Sequence, residues 1–473
     1  MIKDIAKKEF VSTLRDSRFV ALSIIVFLLL LAATVVGFYN YQYQQEERAV
    51  AQQTVNDQFA NAAERHPHRM AHYGSYAFRP KSPISFLDFG LDSYTGSSVF
   101  MEAHRQNSAN FSQAQQSSSL IRFGEMSVAF VMQMLIPLLI IFLCFGAFTQ
   151  EKETGTLRIL LSQGISLRTL AWAKIKGYSK VILLTVGPAL LLVSILLFSL
   201  GGFEVDANIL LRLAFFIISY LLYFFVFIVI AVLISALNRR SSTALVSLLG
   251  IWILGCIIIP KATASPGANL YNTPTKAAMD AEVHHEVAEG IDGHNSKDER
   301  AEALKQELFE EYGVNSLEEL PVNFDGILMA EGEKHSSEVY EKHFDELTET
   351  FENQNRISQY AGFINPFLAI RQLSMGLAGS DFDHYIHFLR KAEEYRYNQS
   401  QQLNHLQATE LDYGDKETRL SSDTWKEFEA FNYKTPSIFW ALNNHLISII
   451  ALLLWVVLVI LVGNKLIDKT KVA

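Results

Sequence analysis

The sequence predicts an all-α polytopic membrane protein: six transmembrane helices, both termini cytoplasmic, and a large, mainly helical extracytoplasmic domain. Three observations carry this reading. Half of the 473 residues are hydrophobic and only 19% are charged, a balance suited to spanning helices joined to a sizeable aqueous portion. Six apolar runs approach the roughly 20 residues that a helix needs to cross a bilayer. Basic residues gather on one set of connections and acidic residues on the other, which orients the spans.

Residues 2–15, IKDIAKKEFVSTLR, set Ile2, Ile5, Phe10 and Leu14 among Lys3, Lys7, Lys8 and Arg15. Residues 1–18 therefore read either as an amphipathic helix on the cytoplasmic surface or as a basic helical extension of the first span. That span covers 19–39. Its apolar run is too long for a signal-peptide core and no small-x-small site follows it cleanly, so a retained anchor is expected. Residues 40–124 form a first extracytoplasmic segment that is Gln-, Asn- and Ser-rich and interrupted by Pro67, Pro80 and Pro83. Its seven basic and seven acidic residues cancel, and no repeat or clear strand emerges.

The next spans are expected at 127–148, 181–200, 209–237 and 242–259, with a charged island at 149–180 between the second and third. Glu125, the acid nearest a span core, is expected at the outer interface. Pro137 and Pro188 should kink the second and third spans by removing backbone hydrogen bonds. Phe216, Tyr220, Tyr223 and Phe227 recur at helical spacing, a stripe expected to serve packing or lipid contact rather than a pathway.

Residues 260–440 carry 16 Lys+Arg against 33 Asp+Glu, a net of −17, which leaves the rest of the chain at +8. This acidic domain reads as helical. Ser296 with Glu299 forms a capping-box pattern, Leu304, Leu308 and Tyr312 follow at near-helical spacing, and Gly313 supplies a stop. Further helices are expected over about 381–409 and 329–354. The last span is 444–466 and the tail 467–473. Cys144 and Cys256 both fall in spans, so the outer domains cannot be stapled by disulfides.

Orientation rests on Lys3, Lys7, Lys8, Arg15 and Arg18 before the first span, and on Lys152, Arg158, Arg168, Lys174, Lys176 and Lys180 in the island. Arg239 and Arg240, with Lys465, Lys469 and Lys471, complete the set. With six spans all four regions fall on one side, the cytoplasmic one. The charge balance argues against nucleic acid as a partner.

No GxxxxGK[ST] phosphate loop, nucleophile–base pair or two-His zinc protease motif is present, so catalysis by this chain is not expected. His66, His68 and His72 suggest a zinc or copper ligand set. Against it, Pro67 excludes a regular helix and no Cys or nearby carboxylate completes a compact site, so a surface or interface role is expected. The eight histidines scattered through 260–440 are expected to be solvated or hydrogen-bonded.

The island itself, EKETGTLRILLSQGISLRTLAWAKIKG, orders two acids, Gly-Thr-Leu, a leucine pair and basic residues. Leu157, Leu161 and Ile165, four apart, would line an apolar contact stripe, with acids near the helix start. A charged membrane-exit turn would account for the charge but not for the order. Through Glu151, Glu153, Gly155, Thr156, Leu157, Leu160, Leu161, Arg168 and Lys174 the island resembles the cytoplasmic loop of type 2 ABC-transporter permeases. Residues 66–107 and 365–404 resemble segments of a bacterial branch with large domains between spans 1–2 and 5–6. With the six spans, the resemblance covers nearly the whole chain.

The resemblance implies a permease subunit of the bacterial inner membrane. A short helix around Glu151, Glu153, Gly155, Thr156, Leu157 and Leu161 would dock into a separate cytoplasmic ATPase pair. No cofactor is implied on this chain, Mg-ATP being held by the ATPase. A second copy or a related permease would complete the assembly. The output would be export of a substrate or mechanical action on a periplasmic or outer-membrane-associated partner. The alternative is a membrane-anchored scaffold or receptor acting through its outer domain without energy coupling.

Overall fold

The computed structural model describes residues 2–110, 112, 126–200, 206–295 and 298–469. Among these, six helices are long and apolar enough to cross a membrane. They are α2 (Ser17–Ala60), α4 (Val128–Glu153), α6 (Leu167–Leu200), α7 (Ala207–Leu237), α8 (Ser241–Leu270) and α15 (Leu446–Lys469). Ahead of them lies α1 (Ile2–Arg15). Asp16 ends α1 and caps α2, its carboxylate accepting from the Arg18 N–H at 3.0 Å.

The helices overrun the apolar stretches. α2 continues 21 residues past the expected end of the first span, giving a rod of about 66 Å at 1.5 Å per residue. α6 begins at Leu167 rather than 181, so the second half of the island belongs to the third spanning helix. Hydropathy reports where the chain is greasy, whereas helix length is set by backbone hydrogen bonding and by what packs beyond the apolar run.

The segment after α2 corrects the expectation that it holds no strand. After α3 (Pro67–Ala71), β1 (Ser75–Phe78) and β2 (Ser98–Met101) pair antiparallel, Ser75 opposite Met101 and Phe78 opposite Ser98. The overrun of α2 covers the other edge of β1. The Gln52 side-chain amide donates to Tyr76 O at 3.1 Å and accepts from Phe78 N at 3.0 Å, standing in for a third strand.

Two spanning helices carry a π-helical turn, Val131–Leu135 in α4 and Leu254–Ile258 in α8. Such turns free carbonyls from the ladder, and three carbonyls in these turns are taken by side chains. Tyr223 O–H donates to Gln133 O at 3.0 Å, the Trp252 indole to Met134 O at 3.1 Å, and Asn365 to Gly255 O at 2.6 Å. Pro137 sits at the start of the α-helical stretch after the first π turn, while Pro188 lies inside α6. Phe216, Tyr220, Tyr223 and Phe227 are buried and pack inside the bundle.

The acidic region folds as α9 (Lys276–Ala288), α10 (Glu299–Tyr312), α11 (Phe324–Tyr360), α12 (Pro366–Ala378) and α13 (Phe382–Glu410), and α14 (Ile438–Asn444) leads into α15. Ser296, expected to cap α10, lies outside the described residues, as does Glu125. Asp298 caps α10, accepting from Arg300 N at 2.8 Å, and Gly313 ends it. α12 is buried on every side except at Arg371. It packs against α7 and α15 and belongs to the same apolar core as the spanning helices, so the helical domain is inserted into the mouth of the bundle.

Candidate functional site

The island folds as a tight double bend beside the end of the bundle where α1 lies. α4 ends at Glu153, and Gly155 takes a left-handed φ of 76° to start α5 (Thr156–Ser162). Gly164, at φ 81°, reverses the chain again before α6. An L-side chain would strain both turns.

Buried polar contacts fasten the back of this bend to three helices. Lys174 of α6 is only 2% exposed, and its ammonium lies 2.8 Å from Glu151 Oε1 and 3.1 Å from Glu9 Oε1. Tyr178 O–H donates to the other Glu9 oxygen at 3.2 Å. Burial alone would raise the Glu9 carboxyl, but Lys174 and Lys8 hold it below its usual value. The approach of α1 that places Glu9 here depends on Gly177, where a Cβ would lie 2.9 Å from both Ala6 O and Glu9 Cβ.

On the other side Glu153 accepts from the Ser241 N–H at 2.7 Å and from its hydroxyl at 2.9 Å, fastening the island to the start of α8. Lys152 donates to Ala236 O and, at 2.9 Å, to Asn238 O, closing the end of α7. Lys and Arg commonly satisfy orphan carbonyls at helix C-termini in this way.

The predicted residues therefore divide. Glu151 and Leu157 face the bundle, Leu157 lying in its apolar core. Leu161 is half-buried against that core. Glu153, Gly155 and Thr156 are exposed, with Arg158, Ile159, Ser162 and Gln163 beside them. The apolar stripe expected of Leu157, Leu161 and Ile165 points inward, and Gly164 separates Ile165 from α5. The apolar side chain offered outward is Ile159, 58% exposed. Sequence reasoning missed Glu9 and Ser241. Glu9 carried one signal, its i, i+3, i+7 spacing with Ala6 and Thr13 on the inner face of α1.

A second polar knot joins the bundle to the helical domain at the opposite end. Arg212 of α7 is buried and donates to Gly376 O and Leu377 O of α12 at 3.2 and 3.1 Å, and to Pro436 O at 2.9 Å. Asp381, the N-cap of α13, bonds His384 and lies 2.5 Å from His445 Nε2, just before α15. Burial disfavours both charges, yet His384 and His445 hold the Asp381 carboxyl below its ordinary value, and Asp381 raises His445.

The expected histidines are also placed. Pro67 does not prevent a helix: it sits at N1 of α3, where its missing N–H costs nothing. His66 caps that helix, its Nδ1 accepting from His68 N at 3.2 Å. His68 and His72, four apart on α3, meet His104 and His294, which no local spacing connects to them.

Residues 32–262 match the family model described as ABC-2 family transporter protein, and residues 276–434 match Domain of unknown function (DUF3526). No curated protein matches the chain.

Proposed function

We propose that this chain, an ABC-2 family permease with a DUF3526 domain and hence an ABC-transporter membrane subunit, takes up the motion of a separate cytoplasmic ATPase through residues 153–163 and delivers it to the helical domain. ATP is hydrolysed on that partner, and a second permease, identical or related, completes the transporter. The basic end of the bundle is cytoplasmic and the helical domain lies outside the bacterial inner membrane.

One observation carries the reading: an exposed bend, Glu153–Thr156 with Arg158 and Ile159, is bolted from behind to α1, α6, α7 and α8 through the contacts of Lys174, Lys152 and Glu153. A push on such a bend moves several helices together. The Arg212 knot supports mechanical delivery, because it ties α7 to the helical domain by buried hydrogen bonds. Small-molecule export has its own support in a cavity of about 390 Å³ between the two π turns, where Gln133, Cys256, Lys261 and Arg371 line the wall. That volume falls within the usual range for small-ligand sites.

Thr156→Arg combined with Ile159→Asp tests the contact without touching the core, since both side chains are exposed. Tagged wild-type chain purified from its native host should bring down an ATPase, and the double variant should lose it while eluting at the same size in detergent. If the double variant retains the ATPase with unchanged activity, the docking assignment fails.

A further inference from the structure

His68 and His72 of α3, His104 after β2, and His294 in the turn between α9 and α10 converge on one point. One ring nitrogen from each lies within 4.8 Å of all the others. His68 Nε2 and His72 Nε2 are 3.2 Å apart, and the six pairs of ring centroids span 4.6 to 6.1 Å. Metal–nitrogen bonds of about 2.0–2.1 Å in a tetrahedron put the nitrogens about 3.3 Å apart. The His68–His72 pair is already at that spacing, and small ring rotations bring in the other two.

The second layer is built for the purpose. His104 Nδ1 lies 3.0 Å from Glu333 Oε2, and the same oxygen accepts the His104 backbone N–H at 2.7 Å. A proton on Nδ1 leaves the lone pair on Nε2, and that Nε2 is buried with no hydrogen-bond partner. A carboxylate that fixes the tautomer of a histidine is the usual support of an imidazole metal ligand. Glu333 is fully buried and is itself held by Arg396 at 2.5 Å, which Glu393 grips in turn. His104 also has a φ of 63°, the one positive φ outside glycine among the described residues. Backbone strain of this kind persists where the surroundings enforce it, and it gathers at ligand sites.

We propose that His68, His72, His104 and His294 bind one divalent late transition-metal ion of the zinc type, with Glu333 as the positioning residue for His104. Four neutral imidazoles, with no carboxylate among the ligands, favour such an ion over magnesium or calcium. Four protein ligands leave no open position, so the ion is structural. It ties the α3–β2 segment to the turn after α9, two parts of the chain that no disulfide joins.

The test uses the full chain in detergent, stripped with a chelator and dialysed against zinc or cobalt(II), with metal measured by mass spectrometry. Wild type should retain one ion per chain, zinc should raise its unfolding midpoint, and the cobalt form should show the intense visible bands of a tetrahedral site. His72→Ala with His294→Ala changes two exposed rings, so the fold survives, and zinc affinity should fall at least about 100-fold. Glu333→Gln should weaken zinc about 10- to 100-fold, whereas His66→Ala, which removes a cap and no ligand, should still hold one ion per chain. Wild type that holds no stoichiometric ion overturns the proposal, as does equal zinc binding by wild type and the His72/His294 variant.

Discussion

Lys174 is one cation held between two carboxylates, and it decides how firmly the bend at 149–163 is attached. The ammonium lies within 3.1 Å of a carboxylate oxygen of both Glu9 and Glu151. Removing one partner of a buried ion pair leaves uncompensated charge and typically costs about 3–5 kcal/mol, far more than an exposed pair. Lys174→Ala, which leaves two carboxylates facing each other, should therefore lower the unfolding midpoint of the detergent-solubilised chain by several degrees. Adding Glu9→Gln should recover part of the loss, because one of the stranded charges is gone. A Lys174→Ala chain as stable as wild type would show that water reaches this cluster. Lys174 was legible in the sequence as part of the island's order of residues. Glu9 was not, because its partner lies 165 residues away and an acid next to lysines reads as surface charge.

At the scale of elements, the spanning helices were legible because the bilayer's demand is written directly into hydropathy. Their ends were not: nothing apolar marks where α2 stops at Ala60 or where α6 starts at Leu167. The strands escaped because each is four residues long and its partner lies about twenty residues on. The direction in which α5 faces was also hidden. A stripe of leucines announces a contact but not whether the contact is inward, and Leu157 turned out to anchor the helix, leaving Ile159 exposed on the outer side. The aim of α5 depends on Gly155, whose φ of 76° strains any L-residue by about 1–2 kcal/mol. No atom lies within 4 Å of the position its Cβ would occupy, so Gly155→Ala adds backbone strain and no clash. Under the proposed docking of residues 153–163, that substitution should reduce stimulation of the ATPase severalfold while moving the unfolding midpoint little. Gly250→Ala, equally uncrowded but helical, should leave both unchanged. Equal ATPase stimulation in the two variants would remove α5's aim from the coupling mechanism.

For the whole molecule, the boundaries of the two family matches and the boundaries of the physical units differ. The acidic helical region was read from the sequence as a domain over 260–440, separate from residues 40–124. Its core, however, is completed by the segment after the first span. Trp425 and Leu403 pack with Phe59, Met70 and Ala103 in one cluster, and Phe388, Ala392 and Phe431 pack with Ala77, Val99 and Met101 in another. The buried Arg396–Glu333 pair takes its third member, His104, from the same segment. No periodicity could reveal this, since each half presents ordinary small clusters that become cores only when joined. The four-histidine cluster was illegible for the same reason: three of its members precede the second span and one follows the fifth. Each large apolar side chain left without its cover forfeits about 1.5–3 kcal/mol, and a domain's whole stability is about 5–15 kcal/mol. Residues 276–434 expressed alone should therefore show helical circular dichroism without a cooperative thermal transition. Joining residues 40–110 to them through a flexible linker should restore that transition. If 276–434 alone unfolds cooperatively, the clusters are accessory and the region is an independent domain. If it does not, the domain that the transporter would move is a composite, held by the rod of α2 on one side and by the Arg212 knot on the other.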